Sequence, residues 1–166
     1  MRENLESLFE KNTEPLAASL SQALKSALEQ YGNMSRADGK SDIPVHIYIS
    51  FLLSGVVNRL PLLRIDLFDE KDRADTASCF VYWDAPAISE DFYKRAGIIS
   101  KQNEQTKDYE LDRICLELAD EYFEVFEIFM PRIAGLCKDV LPQDCTLHFG
   151  QFSGNTSVVE RKNGVF

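Results

Sequence analysis

The side chains with the widest chemical repertoire are few: two histidines, His46 and His148, and four cysteines, Cys79, Cys115, Cys137 and Cys145. Cys145-x-x-His148 has the spacing of half a metal site. Residues three apart on a strand point to opposite faces, however, and zinc takes at least three protein ligands. No metal or cofactor is therefore expected. A cysteine nucleophile needs a thiolate in a partly exposed, electropositive setting. Cys115 and Cys137 stand among leucines and phenylalanines of a helical pattern, and Cys79 lies on the apolar side of a strand pattern. That leaves Cys145 as the one thiol near a loop. Glycine-rich phosphate loops, G-x-S-x-G and H-E-x-x-H are all absent from the sequence. No catalytic residue is assigned, and a non-enzymatic role is expected.

Carboxylates crowd the stretch Asp69, Glu70, Asp72 and Asp75, interleaved with Lys71 and Arg73. A calcium loop wants oxygen ligands at alternate positions and a glycine at its bend. Neither is present, so this stretch reads as a solvated turn. A second acidic group, Glu110, Glu117, Glu121 and Glu124 with Asp120 and Glu127 beside it, recurs at helical spacing. It reads as the wet side of a helix, or as a surface for a basic partner.

The elements that must position these groups follow from periodicity. Val45, Ile47, Ile49 and Phe51 alternate with His46, Tyr48 and Ser50; Leu63, Ile65 and Leu67 alternate with Arg64, Asp66 and Phe68. Cys79, Val81 and Trp83 alternate with Ser78, Phe80 and Tyr82. Period two predicts three strands, over 44–54, 61–69 and 77–84. Short connections predict an antiparallel meander. Matching the apolar sides pairs Tyr48 with Asp66 and Ser50 with Arg64, then Arg64 with Tyr82 and Asp66 with Phe80. One face is then wholly apolar. The reverse gathers His46, Tyr48, Arg64, Asp66, Phe68, Phe80 and Tyr82, the candidate binding residues, with Arg64 placed to stack on Tyr82. Three coverings are open to that face: a helix of the same chain, a protein partner, or a small ligand.

Upstream, the spacing predicts helices over 3–11 and 14–31, with Thr13 capping the second because Pro15 suits a helix start. Gly32 is placed to end it. Downstream, Ser89 is expected to cap a helix over 90–96 that ends at Gly97. A long helix from about Glu104 to Leu141 carries two apolar stripes, with a kink or break at Pro131. TLHFGQF and TSVVERK flank a turn and predict a closing hairpin.

The fold expected for residues 1–166 is a single α+β domain. An antiparallel three-stranded meander, extended or not by the C-terminal hairpin, packs against the long C-terminal helix and the N-terminal helices. The doubled stripe exceeds what one sheet face needs, which points to a homodimer. A net charge of −9 opposes nucleic acid and anionic membranes as partners. MRENLESLFE lacks the apolar run of a secretory signal, and no window approaches the about 18 apolar residues of a membrane span. Together with the cysteine spacing this predicts a cytoplasmic protein with reduced thiols. The function expected is a non-catalytic, acidic protein–protein interaction module for a basic partner. The alternative is a small-molecule-binding protein or small enzyme with its pocket on the mixed sheet face.

Overall fold

Three alternating segments with one greasy side each have to lay those sides together, and they do so in the expected register. The computed structural model describes residues 2–39, 41–58, 62–74, 79–102, 107–152 and 154–162. β1 (His46–Phe51) pairs antiparallel with β2 (Leu63–Phe68), which pairs antiparallel with β3 (Cys79–Trp83). Tyr48 faces Asp66, Ser50 faces Arg64, Arg64 faces Tyr82 and Asp66 faces Phe80. Slipping by one residue would turn every apolar side chain to the wrong face, which is why the pattern fixes the pairing.

The sheet is larger than a meander and is not purely antiparallel. β4 (Cys145–Gln151) lies parallel to β1, with His46 beside Thr146 and Tyr48 beside His148; β5 (Thr156–Lys162) closes an antiparallel hairpin on β4. The strand order is β3-β2-β1-β4-β5. Between β3 and β4 run α3 (Ile88–Gln102) and α4 (Asp108–Cys137). A connection of that length carries the chain across the sheet and returns it parallel to a strand already in place. The class is α+β, with a mixed five-stranded sheet and four α-helices among the described residues.

The two expected N-terminal helices are one, α1 (Arg2–Ala37), with Pro15 inside it. Leu5, Phe9, Thr13, Leu16, Leu20, Leu24, Ala27 and Tyr31 are buried in unbroken helical phase. A proline in a helix interior costs about 3 kcal/mol, whereas each large apolar side chain buried returns about 1.5–3 kcal/mol. Continuity therefore wins. Thr13 is not a cap; its hydroxyl donates to the Phe9 carbonyl at 3.0 Å. Gly32 is buried within the helix, and the left-handed turn falls at Gly39 (φ 68°).

The same correction applies elsewhere. α3 starts at Ile88, one residue before its expected cap, and runs through Gly97 to Gln102. α4 passes through Pro131 undivided; the expected start at Glu104 lies outside the described residues, and the helix ends at Cys137 rather than Leu141. β1 stops at Phe51, short of the expected 44–54, and Leu53 and Ser54 open a short helix, α2 (Leu53–Asn58), that was not expected.

α1 packs along β2 and β3, and α4 along β4 and β5, both on the apolar face. At their meeting point the Phe126 ring of α4 lies 4.7 Å from Phe9, 6.2 Å from Trp83 and 6.1 Å from Phe149. Trp83 donates its indole N–H to Ser19 Oγ at 3.0 Å, giving its one polar atom a partner. α3 packs outside α4 through Phe92 against Tyr122 and the Tyr122 hydroxyl on Asp91. Leu136, expected in an apolar stripe of the long helix, is instead more than half exposed. Among the described residues no helix is long and apolar enough to cross a membrane.

Candidate functional site

With both long helices on one side, the reverse of the sheet keeps the residues that alternation assigned to it. Arg64 lies at its centre and donates from Nε (2.9 Å) and Nη2 to Oδ1 of Asp66. Its guanidinium does not stack on Tyr82, the residue directly opposite. It lies 4.0 Å from the Phe80 ring centroid and 4.9 Å from that of Phe152. The planar cation is held between two rings at the diagonal position, where a long side chain reaches best. Asp66 is only 4% exposed. Burial pushes its carboxyl above the usual range, against the hydrogen bond and charge of Arg64 and the charge of Arg73.

Tyr48 lies on the next strand, 5% exposed. Its hydroxyl donates to Asp72 Oδ2 at 3.0 Å, and its ring stacks on His148 with centroids 4.3 Å apart. Burial, then the hydrogen bond and charge of Asp72, push the phenol up to about 12, so it remains a proton donor at neutral pH. Phe68 meets the same ring edge-on at 5.7 Å, as Phe80 does Tyr82. His46 Nδ1 lies 3.4 Å from His148 Nε2, a spacing at which one nitrogen donates and the other accepts. Burial and the neighbouring His46 lower the pKa of His148, with Asp72 opposing. All seven sequence-predicted residues thus share one face.

Its cover is a strap, not a helix. Arg73, in the short 3-10 turn Asp72–Ala74 between β2 and β3, lies 4.5 Å above the Tyr48 ring. It reaches on to the Gly154 carbonyl (3.4 Å) and Thr156 Oγ1 (3.5 Å). The acidic stretch is a turn with Glu70, Lys71 and Arg73 exposed, as expected, but it is anchored at two of its carboxylates. Asp69 is buried and accepts from the Lys71 amide, while Asp72 adopts φ 54° and keeps Oδ1 buried without a hydrogen bond. Asp75 and Ser78 lie outside the described residues.

Between strap and sheet a cleft of about 250 Å³ is lined by Tyr48, Ser50, Arg64, Asp66, Phe68, Arg73 and Phe152. Gly150 lets the β4–β5 hairpin close beside it. A Cβ there would stand 2.2 Å from the Asn155 carbonyl oxygen and 2.8 Å from Thr156 Cα, so only glycine fits.

His148, Arg73 and Phe152 belong to this face but were not predicted. Alternation in TLHFGQF marked His148 as polar-side, yet nothing local says which strand lies beside it. Cys145 is on the core side, away from His148, with its thiol pushed up to about 12 by burial; Cys79 is pushed up to about 11. Such thiols stay protonated and inert at neutral pH. Among the described residues no three His, Cys, Asp or Glu side chains gather to hold a metal ion.

A second cleft, of about 500 Å³, opens between α2, α3 and α4, where Val56, Val57, Tyr93, Leu111 and Cys115 form apolar walls beside Asp108 and Asp112. Its walls come from three separate elements, so no local pattern announces it.

No family model matches the chain, and no curated protein or solved structure is detectably similar to it.

Proposed function

We propose that this protein is a non-catalytic, acidic interaction module that docks a basic protein partner on the mixed face of its sheet. The observation that carries this reading is the placement of both long helices on the opposite face, which leaves rings and arginines uncovered by any helix among the described residues. Tyr82 is 48% and Phe152 47% exposed around half-buried Arg64 and its buried partner Asp66. Half-exposed aromatics around an arginine are the composition of binding hot spots. The net charge of −9 supports a basic partner, drawn in at long range before the rings engage. Four free cysteines support a cytoplasmic setting.

The test is photo-crosslinking from position 82 in cells, with position 127 on α4 as the control, followed by calorimetry on the partner captured. Arg64→Ala and Tyr82→Ala are each expected to cost about 2 kcal/mol or more of affinity. Equal crosslinking from position 127, or unchanged affinity in both variants, sinks the reading.

A small-molecule pocket on the same face is the second reading, favoured by a polar lining of buried Ser50 and Asp66 and half-buried Arg64. Its volume falls below the about 300–1,000 Å³ of ordinary ligand sites, which places it second. A rise in melting temperature with any compound of a metabolite panel would reverse that order.

A further inference from the structure

The cleft on the mixed face carries hydrogen-bonding groups that the fold itself does not use. Ser50 and Arg64 stand opposite one another on β1 and β2. Ser50 is only 4% exposed, and among the described residues its hydroxyl has no hydrogen-bond partner. Its side chain lines the cleft, and the hydroxyl opens there rather than into the core. Arg64 gives Nε and Nη2 to a single oxygen of Asp66. Its Nη1, with two N–H groups, meets no acceptor among the described residues. Arg73 lines the same cleft, and its charge, like that of Arg64, reaches Asp66.

We propose that this cleft receives one carboxylate of the docked partner, held by Arg64 Nη1 and the Ser50 hydroxyl. The inference rests on the mixed face being the docking surface, and it names the group that anchors there. A purely apolar group would strip water from Ser50 and Nη1 and give them nothing in return. A cation would be set against two guanidiniums. A neutral carbonyl would satisfy the same donors, but a carboxylate makes the shorter and stronger charge-assisted bonds to a guanidinium. Among the lining residues two arginines stand against one carboxylate, that of Asp66, whose Oδ1 Arg64 already engages. Asp72 is outside the lining and accepts from Tyr48.

The site is held ready for its ligand. Arg64 is fixed by Asp66 on one side and by the Phe80 and Phe152 rings across its plane, and Ser50 sits on a central strand. A volume of about 250 Å³ suits one side chain or a chain end, with Phe68 and Phe152 beside its apolar stem. An acidic anchor is compatible with a basic partner. The net charge of −9 acts at long range on the partner's whole surface, whereas the cleft reads one group at contact.

Calorimetric titration of the full chain with phenylacetate, phenylacetamide and phenethylamine tests this, since the three share a ring and differ in the polar group. Phenylacetate is expected to bind saturably, phenylacetamide about tenfold or more weakly, and phenethylamine not at all. Ser50→Ala is expected to weaken both phenylacetate and the partner captured from position 82 by about tenfold. Far-UV circular dichroism establishes that this variant folds. Tyr82→Ala, whose side chain does not line the cleft, is expected to weaken the partner and spare phenylacetate. Absence of saturable phenylacetate binding overturns the inference, as does equal or tighter binding of the amide or the amine. A partner weakened by Tyr82→Ala yet indifferent to Ser50→Ala overturns it too, while leaving the docking reading in place. Phenylacetate bound at a face where position 82 captures no more than position 127 removes both and gives the cleft to a free organic acid.

Discussion

The two edges of the sheet were built by opposite rules. β5, Thr156–Lys162, carries Glu160, Arg161 and Lys162, and its pairing with β4 is broken by an irregularity at Leu147/His148. Lys162 also donates to the Leu141 carbonyl at 2.8 Å, tying the strand's end to the segment after α4. β3 has no charge, and its inward side chains, Cys79 and Trp83, are buried under α1. One edge is guarded against pairing and weakly embedded; the other is deeply embedded and, among the described residues, unguarded. The lesson is that anchoring and protection are separate properties of a strand. Core packing sets the first, and the chemistry of the outward residues sets the second.

The comparison can be broken most forcefully at Trp83. Trp83→Ala empties a site in contact with Phe126 and frees the Ser19 hydroxyl, and is expected to cost about 3–5 kcal/mol in urea unfolding followed by circular dichroism. A loss under about 1 kcal/mol would show that β3 is not embedded in the way described.

On the guarded side, Gly150→Ala forces backbone apart at the Asn155 carbonyl and is expected to cost about 1–3 kcal/mol. Hydrogen exchange should then quicken in β5 more than in β3; uniform quickening would contradict independent edges.

Acid should act on the β4 side as well. The pKa of His148 is lowered in the fold from 6.5, chiefly by burial, so the folded state favours its neutral form. The stability this contributes is present above the unfolded value of 6.5 and is lost as pH falls through it towards the folded value. Urea midpoints measured at about pH 7.5 and about pH 5.5 should fall for the wild type and fall less for His148→Asn. Parallel losses would remove His148 from the account.

The smallest effect sharpens the contrast. Val158 and Tyr82 are equally exposed, at 49% and 48%. Val158→Lys is expected to change stability by less than about 0.5 kcal/mol and to leave partner docking alone. Tyr82→Lys should be as mild on stability and yet weaken partner docking on the mixed face by about tenfold or more.

Much of this was legible in the residue order. The period-two alternation of 45–51, 63–68 and 79–83 fixed both antiparallel registers residue for residue, and with them the seven side chains of the mixed face. Helix ends read less well, because capping and proline preferences of a few kcal/mol were outweighed by continuous burial. Leu5 and Phe9 share helical phase with Leu16 and Leu20, so the unbroken stripe was a stronger signal than Pro15. The stacking of Arg64 on Phe80 and Phe152 was also out of reach, since Phe152 comes to Arg64 only after the second hairpin has joined the sheet.

By itself, then, the sequence determined which side chains share a face within each local strand set, because neighbouring segments with one apolar side have a single register that hides it. Only the tertiary structure decided that β4 returns parallel beside β1, bringing His148 to His46 and Tyr48 and Phe152 to Arg64. That choice depends on how α1 and α4 divide the apolar face between them, a packing of surfaces far apart in the chain that no local period encodes.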